Sequence, residues 1–173
     1  MTFSIRAIIR AFVAPNHRIR CSPVFWNQIL SGLDRKGERE HEAGAFLLGT
    51  VDGDARRIAD VVYYDDLDPA AYDSGVCILH GDAFSRLWAL CRARGLTVVA
   101  DIHTHPGGAG QSRSDKENPM VARAGHIAFI VPNFSRPPTD VAGVGIYQYR
   151  GEHQWTDKSG SQDSHFFYIG IWS

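Results

Sequence analysis

Apolar positions along the chain follow two periods, one near 3.6 and one near 2, and they switch at recognisable punctuation. Residues 3–13, FSIRAIIRAFV, are rich in β-branched and aromatic side chains and predict a first strand, with a helix as the other reading. Ser22-Pro23 then places serine as an N-cap and proline at the first helical position. Phe25, Trp26, Ile29, Leu30 and Leu33 follow at helical spacing, so this helix has a face to bury. Residues 43–50, AGAFLLGT, form a short apolar run that ends at the Asp52-Gly53 turn, and residues 58–64 are its partner in a hairpin. Residues 65–75 are polar and turn-rich, hence a surface loop, and residues 76–79 predict another short strand.

Asp82 and Gly95 bracket a second helix as cap and stop signal. Within it Phe84, Leu87, Trp88 and Cys91 make one apolar stripe, expected to face the core. Residues 96–102 are apolar except for Asp101 and suit a central strand buried on both faces. A short helix is expected over 114–124, with a restart at Asn118-Pro119, then strands over 126–131 and 141–149 joined by the loop 132–140. A polar loop leads to a last strand over 165–172. Helices interleaved with a mixed set of strands predict an α/β or α+β class, one mixed sheet flanked by helices, with residues 1–173 as a single domain.

Composition narrows the function classes. The chain has 44% hydrophobic and 21% charged residues, a formal net charge of −1 and no massed Lys or Arg, which argues against a nucleic-acid partner. No apolar run is long enough to span a bilayer, and Arg6 and Arg10 interrupt the opening segment where a signal peptide would be cleanly apolar. Three widely spaced cysteines, Cys21, Cys77 and Cys91, read as small buried hydrophobes in a reducing cytoplasm.

The chemistry concentrates in residues 100–115, ADIHTHPGGAGQSRSD. Residues i and i+2 of an extended chain point the same way, so His103 and His105 share a face and Thr104 points away. Pro106 stops the strand, and Gly107, Gly108 and Gly110 are expected to let the chain turn back, bringing Ser112 and Asp115 towards the histidines. Two imidazoles and one carboxylate make a catalytic zinc set with a fourth position left for water, whose pKa would fall towards ~7. Other sites built on His-x-His fit less well. A zinc deaminase needs His-x-Glu with Pro-Cys-x-x-Cys. A barrel hydrolase needs roughly 250 residues, a cupin is nearly all strand, and the helical His-Glu-x-x-His motif is absent.

His-x-His-Pro, a short loop and Ser-x-x-Asp together resemble the signature of the JAB/JAMM (MPN) metalloproteases. That family also carries a glutamate about sixty residues upstream, and HEAGAFLLGT supplies one at Glu42, with Gly49 on the glycine that ends the family's strand. The resemblance covers roughly residues 5–150. It implies a cytidine-deaminase-like α/β fold and one Zn2+ per chain, held by His103, His105 and Asp115. It makes Glu42 the general acid/base and Ser112 the hydroxyl that steadies an oxyanion. Two departures stand out: six residues separate His105 from Ser112 where seven is commoner, and Ala45 stands where many members have glycine. The implied activity is isopeptide or peptide hydrolysis at the C-terminus of a ubiquitin-like protein. The chain is similar to the compact bacterial kind, found beside activating and conjugating enzymes in operons that resemble antiphage defence modules. Processing of a sulfur-carrier protein and a non-catalytic MPN scaffold are the alternatives. Glu38 and Glu40 read as a solvated approach to the strand. His80 and Asp101 read as structural residues or as partners that orient a ligand histidine, and the loops 65–75 and 132–140 as walls of a substrate groove. His17, His126, His153 and His165 carry no motif.

Overall fold

Among the described residues Ser22 separates the first two elements, a three-residue strand β1 (Ile19–Cys21) and the helix α1 (Pro23–Lys36). Its side chain accepts from the Phe25 amide at 3.3 Å, so the serine–proline pair caps the helix as its spacing predicts. The computed structural model describes residues 17–74, 77–160 and 166–170. The strand expected over 3–13 lies outside these residues, as do the ends of the last one.

The apolar run after Glu42 becomes the strand that divides the two cores. In β2 (Gly44–Asp52), Ala45 and Leu47 pack with Trp26, Ile29 and Leu33 of α1. Phe46 and Leu48 point the other way, into a second cluster. A strand buried on both faces reads as a continuous apolar run rather than an alternating one. Phe46, Leu47 and Leu48 each contribute about 1.5–3 kcal/mol of burial. β3 (Ala55–Tyr63) pairs antiparallel with β2, and the register shift beside Gly49 needs a glycine: a Cβ there would sit 1.8 Å from the Arg57 carbonyl oxygen.

After the one-turn helix α2 (Tyr64–Leu67) comes α3 (Gly81–Arg94), which buries Ala83, Leu87 and Cys91 in the second cluster and ends at Gly95 in a left-handed conformation, φ 63°. Then follow β4 (Thr97–Thr104), the short helix α4 (Arg113–Glu117), β5 (Ile127–Val131), β6 (Gly145–Gly151), β7 (Gln154–Asp157) and β8 (Phe167–Ile169). The eight strands among the described residues form one sheet in the order β7-β6-β5-β4-β2-β3-β1-β8. β4 and β5 run parallel, as do β1 and its two neighbours, and the other pairs are antiparallel. The class is mixed α/β, with α1 on one face and α3 on the other.

Several expectations need correction. Residues 77–80 are irregular rather than a strand. The helix expected over 114–124 stops at Glu117, before Asn118-Pro119. Residues 141–143 make a helical turn capped by Asp140, so β6 starts only at Gly145. The polar loop after Tyr149 contains β7, reached through a two-residue turn in which Glu152 and His153 both have positive φ, 49° and 57°. Trp88 leaves the core stripe and is 41% exposed. Gly107, Gly108 and Gly110 have no left-handed φ and open space around them, so their turn does not require glycine.

Candidate metal centre

β2 and β4 run side by side, and their register sets the site: Gly44 lies opposite His103 and Ala45 opposite Ile102. Thr104, between the two histidines, points to the other face and pins the strand end that carries Glu42. Its hydroxyl oxygen accepts from the Ala43 amide at 2.9 Å, and its own amide donates to the Ala43 carbonyl at 2.9 Å. Thr104 and Ala43 are both buried. The Pro106–Gln111 loop is held from two sides. Tyr147 donates its hydroxyl to the Ala109 carbonyl, and Ala109 lies so close over Gly145 that a Cβ on Gly145 would be 2.1 Å from the carbonyl oxygen.

Behind the loop, the His105 amide donates to Val131 and the amides of Asn133 and Phe134 donate to Gly107 and His105. Asn133, Phe134 and Ser135 are all left-handed, at φ 54°, 54° and 61°. Such conformations cost free energy and persist where surrounding bonds over-determine them. The 132–140 loop therefore buttresses the histidines from behind and does not line the cleft, which corrects the expectation of a groove wall.

Ser112 and Asp115 close a reciprocal cap on α4. Ser112 Oγ accepts from the Asp115 amide at 3.1 Å, and Asp115 Oδ2 accepts from the Ser112 amide at 2.6 Å. That cap fixes the carboxylate against the imidazoles. Asp115 Oδ2 is 3.3 Å from His105 Nε2, Asp115 Oδ1 is 3.5 Å from His103 Nε2, and the two Nε2 atoms are 3.1 Å apart. One ligand atom from each of these residues lies within 4.8 Å of the others. Four ligands about 2.0–2.1 Å from a tetrahedral zinc stand about 3.3 Å from one another, so this spacing suits one shared ion. Glu42 Oε1 lies 3.9 Å from His105 Nε2.

The electrostatics agree with that geometry. Burial opposes ionisation of Asp115, but hydrogen bonds from His103 and His105 outweigh it and hold the carboxyl far below its ordinary range. Burial alone would lower His103, yet the hydrogen bond and charge of Asp115 hold it above its usual value. Glu42 is pushed up, first by burial, against the opposing charges of His105 and His103.

A cleft of about 630 Å³ opens beside these residues on the α3 face of the sheet. Glu42, His103, Ser112 and Asp115 form its polar part, and Leu79, Phe84 and Met120 its apolar part. Trp155 reaches it from β7 and donates its indole N–H to the Lys116 carbonyl at 3.2 Å. Sequence reasoning missed Trp155, because the turn's two central residues, Glu152 and His153, are not an Asn-Gly or Asp-Gly pair. Among the described residues the near wall is 77–79 and none of 65–74 lines the cleft; Asp68 anchors that wall by accepting from His80 Nδ1 at 2.6 Å and from the His80 amide at 3.2 Å. His80 thus has a structural role. Asp101 does too: it is buried against His126, with 2.5 Å between Oδ1 and Nε2. The three cysteines are free and Cys21 and Cys91 are buried, whereas Cys77 lines the cleft with its thiol pushed up by burial. No helix among the described residues is long and apolar enough to cross a membrane.

The mixed α/β sheet thus carries a His-His-Asp set able to hold one metal ion, with Glu42 beside it. Comparison supplies the class. The chain is 32% identical over 122 residues to the probable metalloprotease y4jG of Sinorhizobium fredii (strain NBRC 101917 / NGR234), covering 70% of this chain and 75% of that protein. It belongs to the same metalloprotease family. No family model matches the sequence. Among solved structures, the fold is similar to protein DSY2949 of Desulfitobacterium hafniense, at TM-score 0.61 and 18% identity over 87% of this chain and 93% of that one. It is also similar to a Salinibacter ruber protein, at TM-score 0.55 and 22% identity over 84% and 94%.

Proposed function

We propose that the protein is a zinc-dependent peptidase of the JAB/JAMM (MPN) type, with the cytidine-deaminase-like fold of that family, and that it cleaves at the C-terminus of a ubiquitin-like modifier. The observation that carries the reading is the convergence of His103 Nε2, His105 Nε2 and the Asp115 carboxylate at tetrahedral spacing, with Glu42 beside them. Two imidazoles and one carboxylate suit zinc and leave a position open. His103, His105 and Asp115 would hold a zinc ion, which would supply Lewis acidity towards the scissile carbonyl and water.

The remaining steps belong to the chain's own groups. Glu42, held above the ordinary carboxyl range by burial, takes a proton from water and hands it to the leaving amine. Ser112 Oγ receives the Asp115 amide, which leaves its own proton to donate to a developing oxyanion. Leu79, Phe84 and Met120 offer an apolar wall to an extended tail lying in the cleft. Specificity for a ubiquitin-like protein, and a place among conjugating enzymes of a bacterial defence operon in the cytoplasm, rest on the motif's resemblance.

The test is hydrolysis of a fusion to a ubiquitin-like protein encoded by a neighbouring gene, followed by mass spectrometry. Glu42→Gln should retain zinc and lose about 10²–10⁴-fold in rate. Undiminished turnover by Glu42→Gln, or by fully chelated protein, overturns the mechanism. Equal cleavage of arbitrary unfolded peptides would remove the modifier specificity and leave the metalloprotease.

A further inference from the structure

A second cavity, of about 320 Å³, lies at the opposite end of β4 from the histidines, against Thr97 and Val98. With about 3.3 Å of strand per residue, about 20 Å separates it from the metal cluster. Three guanidinium groups meet there: Arg18 before β1, Arg56 on β3 and Arg123 before β5. The carboxylate among them is Asp54, and Arg18 already binds it at 2.9 Å. Arg56 directs two of its five N–H donors to neutral carbonyls, Nη1 to Val99 at 2.7 Å and Nη2 to Gly125 at 2.6 Å, and keeps three. Val99 is the residue that the β2–β4 register skips, so Arg56 satisfies a carbonyl at that irregularity and is locked in place by it. Arg123 is exposed and makes no ion pair among the described residues.

Like charges brought this close repel, and burial adds to the cost. Burial, followed by the charges of Arg18 and Arg123, pushes Arg56 below the ordinary arginine value. Capping two carbonyls would need one arginine and no second or third. Among the described residues two positive charges are left without a carboxylate, and guanidinium forks match the oxygens of a phosphate in paired hydrogen bonds. Beside them the pocket offers Trp88, 41% exposed, with Val98 and Val121. An aromatic and apolar wall next to an anion subsite fits the body of a phosphate ester.

We propose that this pocket binds a phosphate group, either free or carried on a small planar molecule such as a nucleotide. Arg56 and Arg123 grip the phosphate, and Trp88 meets the body. The site is separate from the cleft, so its failure would leave the metalloprotease reading untouched.

The experiment is calorimetric titration of the metal-loaded protein, at low salt, with inorganic phosphate, ADP and succinate. Saturable binding of phosphate or ADP should weaken by about tenfold or more in Arg123→Glu, an exposed position where folding is not at stake. Arg35→Glu, which makes the same change in net charge on α1, should leave it intact. Tighter ADP binding whose advantage disappears in Trp88→Ala marks an ester as the ligand, and equal affinities mark free phosphate. The proposal is overturned by no saturable binding to either phosphate probe, by binding that survives Arg123→Glu, by equal loss in Arg35→Glu, or by succinate binding as tightly as phosphate.

Discussion

Thr104→Val changes one hydroxyl for a methyl group of nearly the same shape, at a position that touches neither cleft nor solvent. The wild-type hydroxyl oxygen accepts from the Ala43 amide at 2.9 Å, and both residues are buried. Valine leaves that N–H without a partner, and an unsatisfied buried donor costs about 1–3 kcal/mol. The expected loss in unfolding free energy, measured by urea denaturation at constant m, is therefore about 1–3 kcal/mol. Thr104→Ser keeps the oxygen and drops a methyl group, so it should lose only about 1 kcal/mol and keep slow exchange of the Ala43 amide. The same bond holds the strand end beside Glu42. Turnover in Thr104→Val should fall more than metal affinity, because His103, His105 and Asp115 keep their own supports. A Thr104→Val protein as stable as wild type, with the Ala43 amide still protected, would refute the reasoning.

Other perturbations probe different parts of the account. Gly49→Ala should destabilise the fold by about 1–3 kcal/mol without changing metal content, because its Cβ would meet the Arg57 carbonyl at 1.8 Å; thermal melting checks this. Asp68 sits below the ordinary carboxyl range, chiefly through its hydrogen bonds from His80. A depressed folded pKa gives stability that is present above the unfolded value of about 3.9 and lost as pH falls through the folded value. The stability gap between wild type and Asp68→Asn should therefore be widest at neutral pH and close in acid, as denaturant titrations across pH would show. Asp68→Asn should also raise KM more than it lowers kcat, since residues 77–79 form the cleft wall that Asp68 anchors. Trp155→Ala removes the indole that closes over α4, and it should slow turnover while leaving zinc bound.

The parts of this molecule that show in its sequence are those set by local rules. Ser22-Pro23 and Gly95 announce helix ends because capping depends on a residue or two. The run after Glu42 announces a buried strand because both its faces are apolar. The metal cluster was legible because His-x-His and Ser-x-x-Asp each encode local geometry, an extended chain and a helix cap. The packing of these two pieces over Glu42 is long-range, and the sequence shows it only through family resemblance. What stayed hidden depends on tertiary contacts. β1 has three residues and exists because β3 and β8 flank it. Trp88 falls on an apolar stripe yet faces the rear cavity. His126 gained its partner Asp101 only when β5 was laid beside β4.

The most direct test of the central claim is elemental analysis of metal per chain, on purified wild type beside His103→Ala and Asp115→Ala. About one zinc per chain in the wild type, lost in both variants while their circular dichroism stays native, is the predicted result. Zinc retained at wild-type levels in either variant, or a folded wild type that takes up none from zinc-containing buffer, would contradict the account.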